Sequence, residues 1–507
     1  MSVRRVMGIE SEFGISNPRD SSANPMLLSS QVVNAYGNEV MPNRIRRMRW
    51  DYDVESPLRD ARGFDMSRAD ADPSQLTDDD YGLANLVLPN GARYYVDHAH
   101  PEYASPEVTN PYDAALWDTA GDRIIERSAR LASTLTGDLI TVYKNNTDGK
   151  GVSYGTHENY QVLREVPFGD LVKYLTPFFV TRCVFAGAGR VGLGQEDIEP
   201  GFQISQRADF FEELVGLETT MKRPIVNTRD EPHCDPQKYR RLHVIVGDAN
   251  MSQFATYLKL GSTALVLSMI EDGKFPQHLL IAHPVHAIKQ ISRDVSMNEQ
   301  VLMADGSRMT ALAIQSELCA AVRAYVETSA YSGLAHDEAH DVLLNWEQTL
   351  HDLATQPHVL TRKIDWIAKL QLVDGTKKRH SLSDSDSRLK AIDLMYHSLD
   401  PKVCLATKLN LLHMFDDTAI AQAAQQPPDT TRAFFRGRVV DKWFDHIVNA
   451  NWDSIVFDVA NRPLQKLYMN EPLKGTRELT ESIINSSASV EDLLARLGQQ
   501  DLPSSTL

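Results

Sequence analysis

Cysteine is scarce in this 507-residue sequence: Cys183, Cys234, Cys319 and Cys404 lie far apart, with no CxxC pair. That spacing argues against a disulfide framework or a thiolate zinc centre and suits reduced thiols in a cytoplasmic chain. Long apolar runs are missing too, and no stretch reaches the ~18 residues that a membrane-spanning helix needs. The opening "MSVRRVMGIESEFGI" does not read as a signal peptide, because Glu10 and Glu12 interrupt its apolar run. Nor is there any excess of positive charge. The net charge of −16 argues against nucleic acid as a partner, while leaving room for an anionic ligand in a local basic pocket. Repeats of period 20–50 are absent, which removes solenoids and propellers. Neither GxxxxGK[ST] nor GxGxxG occurs where a strand would meet a helix, so a bound nucleotide would use neither a P-loop nor a Rossmann crevice. The Gly-rich "GAGRVGLG" at 187–194 fits neither motif and reads as a loop.

What is present is an ordinary globular composition, 42% hydrophobic and 24% charged, with strands and helices interspersed but without regular βαβ alternation. A first strand is expected over Arg4–Ile15, a helix near Met26–Tyr36, and a hairpin in "NLVLPNGARYYVD", whose Asn90-Gly91 pair is a turn signal. Further helices are expected near Asp113–Leu135, in "PFGDLVKYLTPFFVTRCVF", in "SQFATYLKLGSTALVLSMIEDG" and through most of Ala311–Tyr396. The segment 41–81, dense in Arg and Asp and without periodicity, reads as a long mobile loop. "QQPPDT" marks a boundary. The expected fold is therefore α+β: a large domain over 1–425 with a curved, mainly antiparallel sheet backed by helices, and a small C-terminal domain over 430–507.

Residues two apart on a strand share a face. Glu10 and Glu12 do so in "GIESEFGI", Arg93, Tyr95 and Asp97 in "ARYYVDHAHPEY", His157 and Asn159 in "THENY", and Arg241 and His243 in "RRLHV". Each set interrupts an otherwise apolar or aromatic strand. A wet outer face is one reading, since antiparallel sheets often solvate one side. A polar catalytic groove is the other, and it is favoured by the absence of Lys from every one of these positions. A hard cation such as Mg²⁺ takes a few carboxylates together with nucleotide phosphates. Glu10 and Glu102 suit that role, and Arg93 and Arg241 can oppose phosphate charge. A zinc protease is less well supported, because "HAHPE" lacks the HExxH spacing.

The stretches "GIESEFGIS", "RYYVDHAHPEYASPE", "KNNTDGKGVSYGTHENY", "VNTRDEPH", "KYRRLHVIVGDAN" and "TTRAFFRG" resemble the pupylation enzymes, which belong to the glutamine synthetase and carboxylate–amine ligase superfamily. The resemblance runs from about residue 6 to the 480s. These enzymes act on Pup, a prokaryotic ubiquitin-like protein of actinobacteria. One branch ligates Pup to lysines using ATP; the other deamidates the C-terminal glutamine of Pup and cleaves Pup from lysines. "RWDYDVESPLRDARGFD", "VDHAHPEY" and "TTRAFFRG" are closer to the deamidase/depupylase branch, whereas "MGIESEFGI" is as close to the ligase.

The resemblance implies a glutamine synthetase-like fold with Asp97 as the catalytic carboxylate, acting as nucleophile or general base. It implies Mg²⁺ at or near Glu10, Tyr95, Glu102, His157 and His243, with Glu12 at a second ion or just behind the first. ATP, or ADP with phosphate, would contact Arg93, Ser105, Asn159, Arg241 and Trp452, with Arg432 and Arg436 toward the terminal phosphate. For Trp452 a core position is the rival reading. Arg207 and Arg229 would clamp the C-terminus of Pup, and His98 and His100 would shape the bend before Glu102. Pup and pupylated proteins are the implied partners. Because Pup is acidic and disordered, a locally basic groove is expected.

Overall fold

A computed structural model describes residues 3–41, 48–51, 55–67, 84–220, 222–460 and 462–499. Its central feature is a six-stranded sheet whose neighbouring pairs are all antiparallel. We number its strands β1 (Met7–Glu12), β2 (Asn85–Val87), β3 (Arg93–Asp97), β4 (His100–Ala104), β5 (Thr156–Leu163) and β6 (Tyr239–Val244); their spatial order is β6-β5-β1-β4-β3-β2. The alternation in "MGIESE" sets the two faces of β1: Met7, Ile9 and Ser11 are buried, and Glu10 and Glu12 turn to the other side.

Helices cover the apolar face. The helix α1 (Pro25–Val40) starts where Asn24 Oδ1 accepts the Met26 and Leu27 amides and Pro25 presets the first turn. The helix α2 (Pro111–Thr136) repeats the device with Asn110 and Pro111 and ends on a left-handed Gly137. Gly121 lets α2 come against the Tyr103 ring of β4, where any side chain would collide. The helix α3 (Gln253–Glu271) is apolar nearly all round and almost wholly buried, as befits the centre of a large core.

A second apolar cluster gathers Phe434, Phe435, Val439, Ile455, Phe457 and Ile484 around α4 (Ala433–Trp443). It is flanked by strands Ile447–Ala450, Ser454–Phe457 and Gln465–Tyr468. The Asn90-Gly91 turn between β2 and β3 docks on α4: Arg436 donates to the Gly91 carbonyl at 3.1 and 2.7 Å. Gly91, at φ +80°, sits so close to the Ala433 carbonyl that a Cβ would lie 2.9 Å from it.

The α+β class and the large antiparallel sheet are as expected, with three local differences. The first strand breaks at Phe13 into Met7–Glu12 and Gly14–Ser16. "GAGRVGLG" contains a strand, Arg190–Leu193, paired with Glu199–Gln203. Its glycines, spaced through a short β run, hid that period. Of the segment expected to be mobile, residues 42–47, 52–54 and 68–81 lie outside the described residues; Met41, Met48, Trp50, Asp51 and Asp60 are buried, while more than half of 55–67 is exposed. Arg49–Trp50 pairs in parallel with Asn449–Ala450, Met48 and Trp50 are buried in the second cluster, and Asp60 accepts from Thr228 at 2.7 Å. Among the described residues no helix is long and apolar enough to cross a membrane.

Candidate active site

Register brings the polar sets together. Glu10 stands opposite His157, and Asn159 opposite His243. Glu102 of β4 lies between Glu12 of β1 and Tyr95 of β3, so three polar side chains cross the sheet in one row. Asp97 stands opposite His100 at the hairpin end. Behind β1, Ser11 is held by Asp118 and Thr156, and Asp118 by the buried Lys144, which anchors the strand carrying both glutamates.

These residues face two cavities that meet at Glu10. A groove of about 650 Å³ is lined by Glu10, Glu12, Arg93, Tyr95, Asp97, His98, Glu102, His157, Arg223, Arg229, Glu231, Arg241, His243 and Trp452. Its volume lies within the ~300–1,000 Å³ range of small-molecule sites. A smaller pocket of about 100 Å³ adjoins it, walled by Gly8, Glu10, Ser105, Glu107, Asn159, Cys234, Arg241, Arg432 and Trp452. Of the sequence-predicted residues, all but Arg207 and Arg436 line one cavity or the other.

Those two are placed away from both cavities. Arg207 is fully buried and donates to the carbonyls of Thr156, Ile245 and Gly247 and to Ser153 Oγ, so it ties the sheet's neighbouring loops and does not reach the groove. Arg436 is fully buried too, spent on Glu107, Gly91 and the Trp452 carbonyl. Arg432 also pairs with Glu107, at 2.8 Å, but lies at the pocket wall. The two guanidiniums outweigh the effect of burial and hold the Glu107 carboxyl down at about 2. Trp452 lines both cavities, with Trp50 edge-on at 5.5 Å. The Arg93 guanidinium is sandwiched between the rings of Trp50 and Tyr95, at 3.9 and 3.8 Å from their centroids. Glu107, Glu231, Arg223 and His233 were not singled out from sequence. Glu107, Glu231 and His233 stand inside the quoted motifs, and position there was the available signal.

Two groups of ligand atoms converge closely enough to share an ion: Glu10 with His157 and His243, and Glu12 with Asp97 and Glu102, each within 4.8 Å. In the first, His157 Nδ1 and His243 Nε2 both lie 3.1 Å from the same Glu10 oxygen. His243 Nδ1 faces Asn227 Oδ1 at 3.3 Å, and that amide is oriented by its own donation to the Gly216 and Leu217 carbonyls. Nδ1 therefore carries the proton. Burial lowers the His243 pKa to about 3, so its Nε2 presents a lone pair to a carboxylate oxygen. Two lone pairs facing at that distance suit a cation held between them, with Asn227 in the supporting position that metal-bound imidazoles usually have. Burial raises the Glu10 carboxyl, and its contact with His157 works against that.

In the second group burial, together with Asp97, Glu10 and Glu12, pushes the Glu102 carboxyl well above its usual range, while Tyr95 Oη donates to it at 2.6 Å. Burial also raises the Asp97 carboxyl, but its hydrogen bond with His98 and the charges of His98, His157 and Arg229 leave it lowered. His98 contacts Asp97, and His100 stacks on Tyr154; neither belongs to a converging ligand group among the described residues.

A protein-family model described as "Pup-ligase protein" matches residues 5–456. A depupylase of Acidothermus cellulolyticus is 52% identical over 503 residues, covering 98% of this chain and 99% of that protein. A Pup deamidase/depupylase of Mycobacterium tuberculosis is 45% identical over 509 residues, with the same coverage. Among solved structures, the complex between Pup and its ligase PafA superposes with a TM-score of 0.78 at 31% identity, covering 98% of this chain and 94% of that one. The ligase PafA in complex with ADP gives 0.71 at 35% identity, over 81% of this chain and 90% of that one.

Proposed function

The chain belongs to the Pup-ligase protein family, and we propose that within it this enzyme hydrolyses the C-terminal glutamine side-chain amide of Pup and cleaves the Pup–lysine isopeptide bond. One observation carries the choice between hydrolase and ligase. Over 98% of its length the chain is 52% identical to a protein named depupylase, against 36–41% over 80–86% of its length for proteins named Pup–protein ligase.

In both reactions the side-chain carbonyl carbon of the last Pup residue gains an oxygen from water and loses nitrogen, as ammonia in one case and as lysine Nζ in the other. Asp97, ionised at the open end of β3 and lining the groove, is the carboxylate for that step. It either takes the proton of an attacking water or attacks the carbonyl itself. Arg229, in the same groove, suits the carboxylate of the Pup terminus.

The groove and pocket suit a nucleotide as well: Trp452 and Ser105 for the base end, Asn159 and Arg241 between, and Arg93 and Arg432 for phosphates. Amide hydrolysis is downhill, so the nucleotide would be bound and not consumed in stoichiometric amounts. The Glu12 and Glu102 oxygens beside Asp97 fit Mg²⁺, whereas two imidazoles beside Glu10 suit Mn²⁺ or Zn²⁺ better. A divalent cation held there supplies electrostatic stabilisation of developing negative charge. The reading keeps a catalytic domain over 1–425 and a C-terminal domain over 430–507, the second apolar cluster being centred on α4 and its strands but joined by Met41, Met48, Trp50 and Val87 from the first; a cytoplasmic location goes with it.

The test is to incubate the chain with ATP and Pup ending in glutamine and follow the mass of its C-terminus. Conversion of amide to acid without matching ADP release is expected. If Pup ending in glutamate instead becomes attached to lysines with ADP released, the ligase reading replaces this one.

A further inference from the structure

The hairpin joining β3 to β4 turns on two residues, His98 and Ala99, between the paired Asp97 and His100. His98 takes φ +51°, the left-handed region that glycine and asparagine enter more readily than most residues. With the backbone turned back, the imidazole comes to rest on its own neighbour: His98 Nδ1 lies 2.9 Å from Asp97 Oδ1. Both side chains line the groove and both are partly exposed, 39% for His98 and 28% for Asp97. Asp97 meanwhile has a carboxylate oxygen within 4.8 Å of oxygens on Glu12 and Glu102. Like charges at that range push one another away, and an aspartate swings freely about its last torsion.

We infer that His98 is a positioning residue for Asp97: its Nδ1–H pins one carboxylate oxygen, so that the other is presented to the reacting carbonyl in one orientation. The inference rests on the functional reading above. It gives the unusual turn a purpose beyond reversing the chain. A strained residue kept at a reacting centre is the pattern expected when geometry there is worth more than local comfort. Misplacement of a reacting group by about 1 Å can cost ~10²-fold in rate.

The test compares His98→Ala, His98→Gly and His98→Asn. Deamidation of Pup ending in glutamine is followed for kcat and KM, and thermal melts check folding. Ala and Gly are expected to lower kcat by roughly 10–100-fold with KM little changed, Gly doing so although it relaxes the turn. Asn tolerates positive φ and donates from nearly the same place, so it should keep kcat within about threefold of the wild type. Wild-type kcat in His98→Gly, or His98→Asn as slow as His98→Ala, would overturn the inference. A wild-type chain that leaves Pup-glutamine unchanged would sink the functional reading, and the inference with it.

Discussion

At the scale of single residues, the proposal concentrates on Asp97 and Glu10. Asp97→Asn keeps the size of the side chain but removes its charge. Deamidation should fall by about 10²–10⁴-fold while Pup binding, read by fluorescence anisotropy, persists; full activity would remove Asp97 from the chemistry. Glu10 should govern a cation. Mn²⁺ titration followed by electron paramagnetic resonance is expected to show a tight site in the wild type, weakened roughly 10–100-fold in Asn227→Ala, where the His243 proton loses its acceptor. An equal affinity in both would detach Asn227 from that site. The groove residues were legible because strand period two exposes them: Glu10 and Glu12, or Arg93, Tyr95 and Asp97, stand out in print as polar alternates. Arg207 and Arg436 were not. A long cationic side chain can reach a ligand or a buried carbonyl with equal ease, and no local pattern distinguishes the two.

Between elements, the main tie runs from Glu107, just beyond β4, to Arg432 and Arg436 at the start of α4. Glu107 is held down at about 2, below its ordinary 4.5. A lowered carboxyl contributes stability above the unfolded value and loses it as pH falls through the folded one, here between about pH 4.5 and 2. Glu107→Gln should therefore cost roughly 3 kcal/mol at neutral pH and flatten the acid limb of the stability curve, as read by urea melts at several pH values. An acid limb as steep as the wild type's would mean that the pair contributes little. Trp50 ties the segment before β2 to the same region. The bend expected before Glu102 is the two-residue turn at His98–Ala99, after which β4 begins at His100 with Pro101 inside it. Proline costs a ladder bond, yet here it occupies one position of a strand whose remaining pairs hold.

For the molecule as a whole, the small pocket takes its walls from the central sheet and from the C-terminal cluster alike, with Ser105 and Asn159 on one side and Arg432 and Trp452 on the other. A ligand there binds only when both are folded and together. ADP at about 100 times its dissociation constant should add ~2.7 kcal/mol and raise the melting temperature by a few degrees. Trp452→Ala should abolish most of that rise in differential scanning fluorimetry; an undiminished rise would place ADP elsewhere. The class of fold was legible from the mix of strand and helix patterns. The joining of the two clusters was not, because it depends on contacts such as Arg436 with Gly91, 345 residues apart. The meeting of groove and pocket at Glu10 also couples their occupants. The family holds proteins named Pup–protein ligase and proteins named depupylase. The groove beside Asp97 and the pocket behind Glu10 share Glu10, His233, Arg241 and Trp452, so a ligand filling one bears on the wall of the other.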